Sequence, residues 1–353
     1  MSLHFFRNLG FLFGIRSKRG IFLIIKITAK YHVRRSKMTD TKIVIIGAGN
    51  VGQAIAYTLM VRRQAREIVI IDKNRERAAS AAKDIAHGTG FFSQVWIKDG
   101  DYSECADASL VILTAGTGRQ PGQSRLQLAE VNVDICRGIT KNVMEYADNP
   151  VFIVVSNPVD IITAAVLKES GLHRGRVIGS GTSLDTARFR YLISEALNLD
   201  VADVNAYVLG EHGDSQVPIW SDVTIAGIPL NIYEEQIGVS ADREAIDEHT
   251  KKGGAEIIAG KGATFYGVAM AVSNIVDNII NVQRGIVPVA HMLDKRFGEW
   301  AGVVMSMPCI LSKEGVSKTL NIPFSDEEAR RMHESVKILK EFQKNLGIFP
   351  EGD

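Results

Sequence analysis

The sequence predicts an α/β fold, in which a doubly wound parallel sheet is followed by an α+β domain. In its first half, short apolar runs rich in β-branched residues alternate with helical stretches, which is typical of βαβ units. After about residue 180 this alternation ends and longer helical segments follow. We therefore expect an N-terminal extension over residues 1–40, a first domain over 41–180 and a second domain over 181–353.

Continuous apolar runs and helical periodicity predict the individual elements. Strands of the first domain are expected at 43–46, 68–71, 110–113 and 151–155. Apolar spacing and alanine content predict helices at 50–63, near 75–87, at 184–198, near 241–260 and 263–282, and at 325–345. A β-rich stretch is expected at 302–311. Because open parallel sheets bind ligands at the carboxyl ends of their strands, site residues are expected there.

The composition is that of a globular protein with an ample core, and the charge is divided unevenly. The chain has 353 residues, of which 46% are hydrophobic and 23% are charged. Residues 1–37 contain nine of the 41 Lys and Arg residues and none of the 40 Asp and Glu residues, so the remainder is acidic. An acidic body argues against a nucleic-acid partner.

Cysteine usage bears on the compartment and on metals. Cys105, Cys136 and Cys309 are few, scattered and odd in number. They predict a reduced compartment, the cytoplasm, and form neither a disulfide framework nor a metal cluster. No metal site is expected, because no His, Cys and carboxylate residues have ligand spacing.

The first 37 residues are basic and partly apolar. Their longest apolar run is too short to span a bilayer and is interrupted by Lys26. A membrane-surface or transit-like element is one interpretation. The favoured interpretation is an unused upstream start, because Met38 directly precedes the first predicted strand. No membrane partner is expected for residues 38–353.

A glycine motif at residues 47–52, G-x-G-x-x-G, lies between a predicted strand and a predicted helix. Gly47 permits the tight turn, Gly49 lets the backbone approach a pyrophosphate, and Gly52 allows close helix–strand packing. Asp72 ends the next strand, where its carboxylate would bind ribose hydroxyls and repel a 2′-phosphate. The motif predicts a Rossmann domain that binds NAD rather than NADP. FAD and a glycine turn without a ligand are the alternatives.

Four further segments carry polar residues in settings that suit catalysis. They are residues 210–215 with His212 between glycines, 183–189 with Asp185 and Arg188 three apart, the Gly/Pro-rich 118–125 with Arg119 and Arg125, and 156–160 with Asn157 at a strand end. Taken singly, such residues are usually surface histidines, helix ion pairs or solvated loops. In this order and spacing, over roughly residues 41–345, the segments resemble the lactate/malate dehydrogenase family.

The resemblance implies an NAD-dependent enzyme that interconverts a small 2-hydroxy acid and its 2-keto acid. His212 is the expected acid/base, with Asp185 fixing its tautomer. Arg188 is expected to bind the substrate carboxylate with a bidentate fork, which a lysine could not reproduce. Arg125 is expected to polarise the carbonyl from a mobile loop that excludes water on closing.

The remaining site residues expected from the motif and the resemblance fall into two sets. Further substrate contacts are expected from Arg119, Asn157 and Thr264. The expected cofactor residues are Gly47, Gly49, Asn50, Val51, Gly52, Asp72, Tyr102, Thr114, Ala115, Gly116, Val155 and Asn157.

The sequence leaves two substrates possible, one for each of two branches of the family. The glutamate before His212, the segments 183–186 and 217–221, and Thr264 resemble the lactate branch, so (S)-lactate and pyruvate are the first expectation. Arg119 resembles the malate branch, because lactate dehydrogenases usually carry Gln at this loop position. A guanidinium there would pair with the distal carboxylate of oxaloacetate, but would be unpaired against the methyl group of pyruvate. If Arg119 turns to solvent, Gln120 could fill the position.

Assembly and regulation are also implied by the resemblance. A homo-oligomer, either a dimer or a tetramer, is expected. Some bacterial members are activated by fructose 1,6-bisphosphate through an Arg and a His; Arg190 matches the first, but Asn205 stands in place of the second. Such activation is therefore not expected. A non-catalytic NAD-binding protein is the alternative from another class. It would not need four residues that are all present here: His212, Asp185, Arg188 and Arg125.

Overall fold

A computed structural model describes residues 41–91, 95–118, 122, 124–281 and 285–348. The predicted extension over 1–40 lies outside the described residues, as do Arg119 and Gln120. For Arg125 only the backbone is described. In the described part of the chain, none of the helices is long and apolar enough to cross a membrane.

One large sheet organises the fold. The strands in chain order are β1 (Lys42–Ile46), β2 (Glu67–Ile71), β3 (Trp96–Asp99), β4 (Leu110–Leu113), β5 (Val151–Val154), β6 (Val177–Gly179), β7 (Val204–Asn205), β8 (Val208–Leu209), β9 (Val217–Pro218), β10 (Thr224–Ile225), β11 (Ile228–Pro229), β12 (Ile286–Met292), β13 (Val304–Ser312) and β14 (Gly315–Thr319). Across the described residues, nine of them form a sheet in the order β14-β13-β12-β6-β5-β4-β1-β2-β3. Strands β1 to β6 are parallel and follow the doubly wound order 3-2-1-4-5-6, which confirms the predicted fold class.

Helices cover the sheet and make the crossovers that parallel strands require. In chain order they are α1 (Asn50–Val61), α2 (Arg75–Gly88), α3 (Arg125–Met144), α4 (Val159–Ser170), α5 (Ser183–Leu197), α6 (Leu230–Ile237), α7 (Arg243–Lys261), α8 (Tyr266–Ile280) and α9 (Asp326–Asn345). Reciprocal capping boxes define where two of them start: Ser124 with Gln127 opens α3, and Ser325 with Glu328 opens α9.

The core lies on both faces of the sheet, which explains why its strands are continuously apolar. Along β1, Val44 and Ile46 pack into one buried cluster, whereas Ile43 and Ile45 pack into the cluster on the other face. This is the two-residue alternation of a strand, with no polar side reserved for solvent. Burying each such side chain stabilises the fold by about 1.5–3 kcal/mol.

The C-terminal half continues the same sheet. Strand β12 pairs antiparallel with β6 through Ala290 and Gly179, and β13 and β14 follow as antiparallel strands. The approach is close, because a Cβ atom on Gly179 would lie 3.1 Å from the Cβ of Ala290. By the contacts between its residues, Asp40–Asp353 is a single compact unit. The division at residues 180 and 181 therefore stays a prediction.

Candidate active site

The glycine motif forms the turn between β1 and α1. Gly47 has a φ of +119°, and a Cβ there would lie 2.5 Å from Oγ1 of Thr114. A Cβ on Gly52 would lie only 1.9 Å from the carbonyl oxygen of Gly47. Both positions therefore require glycine, one for its backbone conformation and both for the close packing of the turn.

The same turn leaves room for an anion at the start of α1. Among the described residues, no atom lies within 4 Å of the position that a Cβ on Gly49 would occupy. Gly49 is also the N-cap of α1, so the first backbone N–H groups of the helix are available to a phosphate. This geometry fits a dinucleotide pyrophosphate.

Asp72 lies at the end of β2, against the glycine turn. Its Oδ2 accepts a hydrogen bond from the backbone N–H of Ala48 at 2.7 Å, and its Oδ1 accepts one from the N–H of Asn74 at 2.8 Å. A cavity of about 230 Å³ opens beside it. Seven of the predicted cofactor residues line this cavity: Gly47, Gly49, Asp72, Tyr102, Thr114, Ala115 and Gly116. The carboxylate therefore lies in the lining of this cavity, as its predicted contact with a ribose requires.

The other predicted cofactor residues lie around this cavity rather than in its lining. Asn50 and Val51 are the first two residues of α1. Val155 and Asn157 follow β5, and the carbonyl of Asn157 accepts a hydrogen bond from Nδ2 of Asn132 at 2.8 Å. They lie at the carboxyl edge of the sheet, and Asn157 also borders a second cluster of polar residues.

That second cluster centres on His212, in the loop between β8 and β9. Oδ2 of Asp185, near the start of α5, lies 2.5 Å from Nδ1 of His212. The Asp185 side chain is 4% exposed, whereas that of His212 is 27% exposed. His212 lines a cavity of about 300 Å³ together with Asn157, Glu211 and other residues. The buried carboxylate thus supports an imidazole that reaches a cavity beside the Asn157 strand end.

The surrounding charges favour the protonated form of His212. Burial works against protonation, but the charge of Asp185, the hydrogen bond to it and the charge of Asp160 raise the pKa of His212 to about 9. Burial likewise works against ionisation of Asp185, yet His212 and Arg188 keep the pKa of this carboxyl below its ordinary value. At neutral pH the pair is therefore an imidazolium–carboxylate ion pair.

Asp160 supports His212 from a second side. It lies in the first turn of α4 and is 2% exposed, and its Oδ2 accepts a hydrogen bond from the backbone N–H of His212 at 2.8 Å. Among the described residues, its Oδ1 has no hydrogen-bond partner. Burial raises the pKa of Asp160 to about 7. Asp160 was not predicted as a site residue; the signal for it was one carboxylate among the apolar residues of the first turn of α4.

The loop that carries His212 is also fixed to the large sheet. Gly210 forms an isolated antiparallel bridge with Ser306 of β13, with N···O distances of 3.1 and 2.9 Å. Ser335 of α9 accepts a hydrogen bond from the N–H of Glu211 at 2.9 Å. The loop that carries the histidine is therefore anchored to β13, α4 and α9.

Arg188 lies one helical turn after Asp185 on α5. Its Nη1 donates to Oδ1 of Asp185 at 3.0 Å and to the carbonyl oxygen of Thr250 in α7 at 3.1 Å. Its side chain is 14% exposed. The guanidinium thus lies at the His212–Asp185 pair as a fixed cation that can bind a carboxylate.

Three of the predicted substrate residues are not part of the described lining of the cavity beside His212. Thr264 lies half-buried between α7 and α8, and it is not part of the lining of the cavity beside His212. Arg125 is the first residue of α3 rather than a loop residue, because Ser124 caps that helix. Arg119 lies outside the described residues. The structure therefore brings His212, Asp185 and Arg188 together, and the roles of the others stay predictions.

The predicted effector positions are engaged in other contacts. Nε of Arg190 donates to the carbonyl oxygen of Ala206 at 2.8 Å, and its guanidinium lies 5.3 Å from the ring centroid of Tyr207. Asn205 is exposed in β7. The absence of sugar-phosphate activation stays a prediction.

Comparisons with known proteins agree with this geometry. A family model for the NAD binding domain of lactate/malate dehydrogenase matches residues 41–179, and a model for the alpha/beta C-terminal domain matches residues 182–347. The chain belongs to the lactate/malate dehydrogenase family. Its first domain is thus an NAD-binding domain of this family, and the cofactor is NAD, which the glycine turn and Asp72 fit.

Relatives within the family are similar over nearly their whole length. The L-lactate dehydrogenase of Acetivibrio thermocellus is 42% identical over 87% of this chain and 98% of the relative. A solved lactate dehydrogenase from a Medee basin deep-sea metagenome library has a TM-score of 0.85 and 35% identity over 87% of this chain and 99% of its own. A minor L-lactate dehydrogenase from Enterococcus mundtii has a TM-score of 0.84 and 39% identity over 87% of this chain and 98% of its own.

Proposed function

We propose that this chain is an NAD-dependent L-lactate dehydrogenase that interconverts (S)-lactate and pyruvate. The observation that carries the proposal is the His212–Asp185 ion pair with Arg188 beside it, which joins a proton donor to a carboxylate-binding cation. The names of the relatives at 38–42% identity support the lactate branch of the family.

In the direction of pyruvate reduction, His212 acts as the acid. NADH supplies the hydride that is added to the keto carbon. The His212 imidazolium, which its raised pKa maintains at neutral pH, donates a proton to the keto oxygen. Asp185 then carries the remaining negative charge beside a neutral imidazole. In lactate oxidation the same neutral imidazole takes the hydroxyl proton, and Asp185 stabilises the imidazolium that forms.

Arg188 binds the carboxylate that both substrates share. Because Nη1 is already fixed by Asp185 and Thr250, the plane of the guanidinium is set before the substrate arrives. A preorganised planar fork forms two parallel hydrogen bonds to a carboxylate. This places the keto group of the substrate towards His212.

Three further parts of the chain supply the remaining substrate contacts in this proposal. Arg125, at the first turn of α3, would polarise the keto oxygen when the loop before this helix closes. Asn157 would hydrogen-bond the substrate oxygen or the nicotinamide region, and Thr264 would line the substrate pocket. Arg119, in the same loop, carries the alternative of a malate dehydrogenase.

The three cysteines support the proposed cytoplasmic location. Cys105, Cys136 and Cys309 are all buried and unpaired in the described part of the chain, as expected in a reducing compartment. Cell fractionation with an antibody against the protein tests this, and recovery from the secreted or membrane fraction would contradict it.

The substrate proposal is tested by following NADH oxidation with pyruvate and with oxaloacetate at equal concentrations. We expect kcat/KM to be higher for pyruvate, because the relatives belong to the lactate branch. An Arg119→Gln variant should then lower the residual oxaloacetate rate further, since it removes the cation that would pair with the second carboxylate. A wild-type preference for oxaloacetate that Arg119→Gln reverses would establish the malate alternative instead.

An Asp185→Asn variant tests the ion pair. Without the carboxylate charge, burial lowers the pKa of His212, so the imidazolium needed for pyruvate reduction is lost at a lower pH. We expect the alkaline limb of kcat/KM to move down by about 2 pH units, so that the rate falls by about twofold at pH 7 and by about 100-fold well above pH 9. Asp84→Asn, on the exposed face of α2, is the matched control. An unchanged pH midpoint in Asp185→Asn would refute this role.

We also propose that the protein is a homo-oligomer in which α1, α5 and α8 meet a second copy. Helix α8 packs on both α1 and α5, and each of the three helices carries a large apolar side chain that is more than half exposed: Tyr57, Tyr191 and Met270. A cavity of about 410 Å³ also opens between α5 and α8, with Met270 in its lining. Exposed apolar surface of this kind is typical of protein interfaces.

Light scattering after size exclusion tests the interface. We expect the wild type to elute as a dimer or tetramer and Met270→Glu to shift towards the monomer, because it buries an unpaired charge in the interface. Trp96→Glu is the control, since Trp96 is 70% exposed but lies in the edge strand β3. A monomeric wild type would contradict the proposal.

A further inference from the structure

The segment 210–215 contains residues around His212 that the proposed chemistry does not use. Glu211 precedes the histidine, and Gly213 and Ser215 follow it. In the structure Glu211 and Ser215 both contact Ser335, whose side chain is fully buried in the middle of α9. A buried hydroxyl needs a partner for its proton and another for its oxygen, so its contacts identify what it holds in place.

These three polar residues form a closed ring of hydrogen bonds. The backbone N–H of Glu211 donates to Oγ of Ser335 at 2.9 Å. Oγ of Ser215 lies 3.1 Å from the same oxygen, and it donates its own proton to the Glu211 carboxylate at 2.5 Å. Because a hydroxyl has one proton, the proton between the two serines belongs to Ser335. The ring therefore runs from the Glu211 N–H to Ser335, then to Ser215 and back to the Glu211 carboxylate.

The two glycines of the segment make room for this ring. At Gly210, which has a φ of +86°, an added Cβ would lie 2.9 Å from Oγ of Ser335. At Gly213 it would lie 2.8 Å from Cδ of Glu211, whose side chain folds back over the loop to reach Ser215. Either Cβ would be closer than side chains pack, so it would displace a member of the ring.

The ring also completes a set of anchors on consecutive peptide groups. The N–H groups of residues 210, 211 and 212 donate to acceptors on β13, α9 and α4, respectively. The acceptor on α9, Ser335, is in addition joined to the chain beyond the histidine through Ser215. Ser335 thus holds the backbone both before and after His212. Leu339, one turn further along α9, lines the cavity beside His212, so the same helix forms part of the wall of that cavity.

We propose that Ser335 is a positioning residue for the acid/base: with Ser215 and Glu211 it fixes the backbone on both sides of His212, and thereby the direction in which the imidazole meets the keto oxygen. This rests on the proposed function, in which His212 donates the proton. Asp185 holds Nδ1 of the imidazole, whereas the ring fixes the backbone from which the imidazole extends. Proton transfer requires close alignment of donor and acceptor, so loss of the ring lowers turnover and leaves cofactor binding unchanged.

The kinetic test compares Ser335→Ala with Ser273→Ala in the full chain. Ser273 is a second fully buried helix serine, and its Oγ accepts a hydrogen bond from Nη1 of Arg62 at 2.7 Å and donates one to Oε1 of Gln64 at 2.6 Å. Both variants therefore remove a buried hydroxyl that has partners on its proton and its oxygen, so their effects on stability are matched.

We expect Ser335→Ala to lower kcat and kcat/KM for pyruvate alike by about 10-fold, because the proton donor is misaligned. The solvent deuterium isotope effect should rise, since proton transfer then limits the rate more strongly. The Kd for NADH, from fluorescence titration, should stay within about twofold of wild type. Ser273→Ala should leave all four quantities within about twofold of wild type. Equal kinetic effects of the two variants would overturn the proposal.

A double-mutant cycle tests the ring itself. Ser215→Ala opens the ring at a half-buried member and keeps the buried hydroxyl of Ser335. If the two serines act as one ring, the double variant should lose no more than about twofold beyond the larger single effect, whereas full additivity would contradict a shared role. Ser215→Ala also decides the matter if Ser335→Ala fails to fold. A loss of about fivefold or more in kcat/KM then supports the proposal, and a wild-type rate overturns it.

The NMR signal of the His212 imidazole tests the orientation without turnover. This signal should shift in Ser335→Ala and in Ser215→Ala, and should stay in place in Ser273→Ala. An unshifted signal in the first two variants would overturn the proposal. A wild type that reduces neither pyruvate nor oxaloacetate would instead refute the proposed function, and the NMR comparison would still test the ring.

Discussion

The active site depends on one buried interaction, the contact of Asp185 with Nδ1 of His212. A carboxylate removed from water is costly unless it is paired, so the sequence around it must deliver partners on both oxygens. One oxygen faces the imidazole and the other faces Arg188. The same arrangement therefore stabilises the charged pair and places the proton and the carboxylate-binding cation side by side.

The rest of the fold supplies fixed supports for that pair. Asp160 at the start of α4 holds the backbone of His212, and Ser306 of β13 holds the loop at Gly210. Asp160 follows β5 by a few residues, so the strand end that carries Asn157 and the support of the histidine belong to one connection. The parallel sheet that carries the cavity predicted for the cofactor therefore also positions the acid/base residue His212.

Much of the fold could be predicted because it depends on local patterns. The run 110–113 coincides with β4, since a strand buried on both faces has no polar positions. Strand β12 was not predicted, because Pro288 and His291 interrupt its apolar pattern. In the structure Pro288 lies opposite Pro308 of β13, and Nε2 of the buried His291 lies 2.8 Å from Oγ1 of Thr319 in β14. Strand β3 was not predicted either, since Trp96 and Lys98 are exposed at the sheet edge.

The residues of the site likewise divide into those that could be predicted from the sequence and those that could not. His212, Asp185 and Arg188 were predicted because they lie in segments whose order and spacing resemble a known family, and the structure places them in contact. Asp160 was not predicted as a site residue. A carboxylate in an apolar helical turn is only a weak signal, and the importance of Asp160 comes from its contact with His212, 52 positions away in the chain. Long-range contacts of this kind require the folded structure.

The central claim is that the surrounding carboxylates keep His212 protonated at neutral pH. The most direct measurement is an NMR titration of the histidine side chains in the isotopically labelled protein, with the His212 signal assigned by its loss in a His212→Gln variant. The account predicts that His212 titrates with a pKa of about 9 in the wild type. A midpoint near the ordinary histidine value of about 6.5 would contradict it, because the carboxylates would then not stabilise the imidazolium.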